Sequence, residues 1–190
     1  MSKYLQFDLT RLAAGDIILS TAPFAVTIPA LKSFAIRLLT WSPISHAAMV
    51  IDRGHLVEAV GDGVLRLSLS GALIDPAQQV RVLRLKEEFG WPSVAAQAAA
   101  VAEQSVSHSY ATIAALCSLF AKLPGPSEHE HFCSHLVAQS YEAAGVKLVE
   151  PTIAGKTIPR HFLQTPKLQL ITADVLHEAV EGVEGCGSAL

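Results

Sequence analysis

The apolar run Ala47-Ala48-Met49-Val50-Ile51 opens a stretch whose hydrophobic and polar positions follow the spacing of strands. The pattern predicts strands over 46–52, 55–60, 63–69 and 79–86. They are separated by Asp52-Arg53-Gly54, Gly61-Asp62-Gly63 and Asp75-Pro76, and Asp-Gly turns of this kind mark antiparallel hairpins. From Leu65 to Leu69 apolar and polar residues alternate, as in a sheet with one solvated face. Earlier in the chain, Gly15-Asp16 leads into Ile17-Ile18-Leu19-Ser20, a short buried strand.

Helical spacing flanks this block on both sides. Residues 5–13 read as a helix stopped at Gly15, and apolar positions 31, 34, 35, 38 and 39 give a second over Pro29–Thr40. Pro92 introduces an Ala-rich helix over 93–106. Residues 111–122 form another, stopped by Pro124-Gly125-Pro126. The last runs from about 130 to 144 and ends at Gly145, a good left-handed terminator. The class is α+β, a central antiparallel sheet between helices, with one domain over 1–175. Residues 176–190 are small, acidic and Gly-rich, and read as a loosely ordered tail.

Composition narrows the function. The 190-residue chain is 51% hydrophobic and only 16% charged, enough for one substantial core. Net charge is −3 and no Lys/Arg cluster occurs, so nucleic acid is not an expected partner. Met1 to Thr10 holds no apolar signal core, which points to the cytoplasm, or to export by a leaderless route. The apolar segment 22–41 carries Pro23, Pro29, Lys32 and Arg37; it suits a buried helix or peripheral membrane contact better than a span. Three widely spaced cysteines, Cys117, Cys133 and Cys186, match no disulfide framework and fit a reducing compartment.

Cys133 carries the candidate chemistry. It shares a helical face with Leu136, Val137, Ser140, Tyr141 and Ala144, so it points into the protein. A helix starting near 130–132 would set its dipole to favour a thiolate there. His46 heads the 46–52 strand, and the hairpin across Arg53-Gly54 brings Glu58 beside it. Thiol, imidazole and carboxylate are the nucleophile, base and orienter of covalent catalysis. Each alone has an ordinary structural explanation: a buried cysteine, a bonded strand histidine, a sheet-surface glutamate.

His129, His131, Cys133 and His135 form a rival constellation of metal-ligand types. On a helix, residues two apart are rotated by about 200°, so the four would converge only on a strand, and the apolar pattern says helix. No metal and no cofactor is expected.

In chain order the landmarks are Gly15-Asp16-Ile17-Ile18-Leu19, Ser45-His46-Ala47-Ala48-Met49-Val50, Glu58-Ala59 with Gly63-Val64, Tyr110, Phe132-Cys133-Ser134 and Thr157-Ile158-Pro159. This series resembles the circularly permuted branch of the NlpC-type papain-like superfamily, including YiiX-like proteins and the lecithin retinol acyltransferase group. Permutation accounts for a histidine preceding the cysteine. The resemblance covers roughly 15–165. It implies a papain-like fold, a sheet or half-barrel packed on helices, with the nucleophile at a helix N-terminus. It further implies Cys133 as nucleophile, His46 as base and Glu58 as orienter, with Tyr110 on the substrate side. The aspartate that often follows the family tyrosine is Ala111 here, a departure at that position.

The activity implied is thiol hydrolysis of a peptide-like amide through a thioester. Lipid or acyl ester hydrolysis or transfer with the same triad is the alternative, and a catalytically silent binding module of the same fold is another. The substrate is accordingly a small, peptide-like or lipid-like molecule.

Overall fold

The computed structural model describes residues 4–21, 24, 44–60, 63–75, 77–106, 128–150 and 157–179, without the side chains of 128–132. Six antiparallel strands make the central sheet: β2 (Ile17–Ser20), β3 (His46–Asp52), β4 (His55–Val60), β5 (Gly63–Ser68), β6 (Val80–Leu85) and β7 (Leu168–Leu170). Their spatial order is β5-β4-β3-β2-β6-β7. A separate two-stranded ribbon pairs β1 (Leu5–Phe7) with β8 (Leu176–Glu178). The helices are α1 (Ser93–Gln104), α2 (Glu128–Ala143), α3 (Pro159–Phe162) and α4 (Thr172–Val175).

Strand alternation divides the core in two. Ile17, Leu19, Ala47, Met49, Val57, Ala59, Leu83 and Leu85 pack with α1, α2 and Phe162. Ile18, Ala48, Val50, Leu56, Val80 and Val82 face the other way, onto Phe7, Leu12, Ile171 and Val175. The inner strands are therefore covered on both faces, which is why 47–51 is a continuous apolar run rather than an alternation. Each large aliphatic side chain buried in this way contributes about 1.5–3 kcal/mol.

The expected helix over 5–13 is not there; the segment is β1 followed by a turn. Asp8 explains the outcome: its carboxylate accepts from Thr10 N–H (3.0 Å) and Thr10 Oγ1 (2.6 Å), and its carbonyl accepts from Arg11 N–H at 3.1 Å. These local bonds compete directly with helix formation. The tail expectation is corrected at its start, because Leu176–Glu178 pairs with Leu5–Phe7 and Ala179 N–H donates to the Tyr4 carbonyl. The helices expected over 29–40 and 111–122 lie outside the described residues, as do Cys117, Cys186 and, apart from Phe24, the segment 22–41. Among the described residues no helix is long and apolar enough to cross a membrane.

Gly15-Asp16 ties the layers together. Gly15 has φ +87°, a left-handed conformation, and a Cβ there would stand 2.5 Å from the Ala95 carbonyl oxygen of α1. Its own carbonyl accepts from the buried Tyr141 hydroxyl of α2 at 2.6 Å, and its N–H donates to the Val50 carbonyl at 2.8 Å. Asp16 is buried and grips Arg84 of β6 with both oxygens: Nε to Oδ1 at 2.7 Å and an Nη2 to Oδ2 at 2.6 Å. The guanidinium also lies 5.3 Å from the Trp91 ring centroid and donates to the Arg11 carbonyl at 2.8 Å. Gly15→Ala should destabilise the fold by at least about 2 kcal/mol in urea unfolding, the left-handed strain adding to the overlap with α1.

Candidate active site

His46 and Glu58 meet because of strand register. Ala48 pairs with Glu58 across the β3–β4 hairpin, and His46 lies two positions before Ala48 on the same side of β3. Diagonal neighbours on one face are within reach of long side chains. The ring Nε2 sits 2.7 Å from Glu58 Oε2, with the histidine 5% and the glutamate 0% exposed. The same carboxylate oxygen accepts the Phe24 backbone N–H at 3.1 Å. Glu58, read from the sequence as beside His46 but with a surface explanation open, is thus a buried carboxylate with two donors.

Cys133 comes from α2, which packs on β3 and β4, and is 1% exposed. Its thiol is electrostatically coupled to the His46 imidazole. His46 is the first residue of β3, so the three groups meet at the end of the strand. Ser134, also buried, places its Oγ 4.0 Å from the Cys133 sulfur.

Electrostatics follow from the burial. Desolvation by itself pushes the imidazole down; Cys133 and Glu58 outweigh it and carry His46 up to about 10. Both neighbours thus favour the protonated imidazole. The helix contributes less than its expected start implied. Because α2 begins at Glu128, Cys133 lies in the second turn, beyond the first turn where the free amides and the dipole act most strongly.

The structure brings together Cys133, His46 and Glu58. Tyr110 and Ala111 lie outside the described residues. The side chains of His129 and His131 do too, although the backbone of 128–143 is helical. Among the described residues no group of three metal-ligating side chains comes together. Sequence reasoning missed the Phe24 amide, since a backbone donor leaves no mark in residue type. It also missed Arg84, whose signal is a basic residue inside an apolar strand.

A buried Cys–His–carboxylate set, at the junction of a helix and an antiparallel sheet, with the histidine earlier in the chain, is a permuted papain-like arrangement. Residues 11–172 match the family model described as permuted papain-like amidase, YaeF/YiiX, C92 family. The chain belongs to that family. The match spans both core layers and all three site residues, and it makes the chain a cysteine hydrolase of the amidase kind. A search of curated proteins finds no match.

The raised pKa gives a pH signature. An imidazole whose folded value exceeds its unfolded value of about 6.5 stabilises the fold fully below that pH and loses the contribution as pH rises toward the folded value. The unfolding free energy of the wild type minus that of His46→Ala should be largest near pH 6. It should shrink across pH 7 to about 10, as followed by urea denaturation at fixed ionic strength. A difference independent of pH would contradict the coupled cation.

Proposed function

We propose that the chain hydrolyses a peptide-like amide bond with Cys133 as nucleophile, His46 as general acid and base, and Glu58 as the group that orients and charges the imidazole. The observation that supports this reading best is the buried 2.7 Å contact between His46 and Glu58 on an imidazole that Cys133 also engages. A carboxylate placed there fixes the ring and its tautomer and stabilises the cation that forms when the thiol gives up its proton.

The Cys133 thiolate attacks the amide carbonyl, forming a C–S bond. Imidazolium His46 then donates its proton to the departing nitrogen as the C–N bond breaks, leaving a thioester and a free amine. Neutral His46 next takes a proton from water, whose oxygen attacks the thioester carbonyl. The C–S bond breaks, a carboxylic acid leaves, and the thiolate–imidazolium pair is restored.

Cys133→Ala should abolish amide turnover without loss of fold. Glu58→Gln keeps the shape but removes the charge, and should lower kcat by about 10²–10⁴-fold, the range of positioned acid–base groups. Alkylation by iodoacetamide supplies a substrate-independent check: Cys133 should react near neutral pH much faster than an ordinary thiol, and His46→Ala should remove the excess. Full amide turnover in Cys133→Ala would overturn the nucleophile, and alkylation at an ordinary rate in a wild type without amide turnover would leave a binding module of the same fold.

A further inference from the structure

Cys133 and Tyr141 belong to the same helix, about two turns apart, and both are buried against the helix-side core. Tyr141 spans that core to the β2 layer, where its hydroxyl donates to the Gly15 carbonyl at 2.6 Å. The acceptor is not free to follow a moving helix. Gly15 abuts Ala95 of α1, its N–H is held by Val50 of β3, and Asp16 beside it is locked on Arg84 by two bonds and on Ala13 N–H by a third at 2.8 Å.

Apolar packing alone does not fix a helix at this precision. A face built from Leu136, Val137 and Cys133 tolerates small slides and rotations, because dispersion contacts are individually weak and non-directional. A phenol donating to one immobilised carbonyl is directional and single-valued. Burial and the nearby Asp16 carboxylate also hold the phenol above its ordinary pKa, so it stays a donor.

We propose that Tyr141 is a positioning residue for the nucleophile: its bond to the Gly15 carbonyl sets the slide and rotation of α2 that keep the Cys133 sulfur on His46. Tyr141 touches no reacting atom; it acts through the helix and through the Gly15-Asp16–Arg84 anchor. The inference rests on the Cys133–His46 reading above, and its test separates the two.

The probe is iodoacetamide, with alkylation of Cys133 followed by peptide mass at about pH 7 and at about pH 10, where an ordinary thiol is ionised. Tyr141→Phe keeps the ring and loses only the donor. Its rate near pH 7 should fall about fivefold, the kinetic equivalent of one net hydrogen bond, while its rate near pH 10 stays within about twofold of wild type. Val82→Ala, in the opposite core, serves as a destabilised control: at a comparable drop in Tm it should keep the wild-type ratio of the two rates.

A wild-type ratio in folded Tyr141→Phe, with His46→Ala still abolishing the neutral-pH advantage, overturns the positioning role and leaves the triad standing. An equal loss in Val82→Ala also overturns it, assigning the effect to general loosening. No neutral-pH advantage in the wild type brings both readings down. Should Tyr141→Phe not fold, Arg84→Lys reads the same anchor, since it keeps the charge but loses the fork on Asp16. A rate near pH 7 lowered about threefold supports the proposal, and an unchanged rate overturns it.

Discussion

The buried grip of Arg84 on Asp16 is the constraint around which the layers are set. Through the neighbouring Gly15, one dipeptide fixes β2 against β3, β6, α1 and α2 at once. Desolvation raises the Asp16 carboxyl despite the opposing bonds from Arg84 and Ala13 N–H. The folded state thus disfavours the ionised form relative to the unfolded chain, and holding the charge at neutral pH costs folding free energy. The two apolar layers supply the stability; the ion pair supplies register. Buried pairs are commonly poor stabilisers, yet losing one partner costs about 3–5 kcal/mol, so once built into the fold the contact constrains everything attached to it.

The chain buries a second carboxylate and treats it differently. Asp16 has a guanidinium, always charged and planar, whose fork allows little besides one geometry. Glu58 has an imidazole and the Phe24 backbone N–H. An arginine in place of His46 could never take or return a proton near neutral pH. On the mechanism proposed above, the titratable partner is the one that chemistry can use. On that mechanism one buried carboxylate serves geometry, and the other serves proton transfer.

What the sequence disclosed depended on whether the deciding contacts were local. The strands over 46–52 and 55–60 were legible to the residue because a tight turn and an apolar run determine them, and the His46–Glu58 neighbourhood followed from the same hairpin. The 63–69 strand overruns its observed bounds by one residue at one end, and the 79–86 strand by one residue at each end. Residues 5–13 misled because Leu5, Phe7, Leu9 and Leu12 fit a helical count, whereas the Asp8 turn and the distant β8 partner decided the outcome. The strand β7 and the short α3 and α4 went unread, being three or four residues each and held by tertiary contacts. Arg84 reaches across 68 positions to Asp16, and Tyr141 across 126 to Gly15; neither distance leaves a periodic trace.

That division between local and distant contacts explains how a permuted chain retains a papain-like centre. The imidazole and its carboxylate are neighbours through one hairpin, so their pairing survives wherever the chain happens to begin. The thiol is different: it arrives much later in the sequence, on a helix whose placement no local rule dictates. Apolar layers bring that helix to the sheet but leave its slide and rotation soft. A directional contact is needed at the far end of α2, made to a part of the sheet that is itself immobile. The sheet's rigid point is the buried Asp16–Arg84 grip, and the Tyr141 hydroxyl on the adjacent Gly15 carbonyl is where α2 meets it.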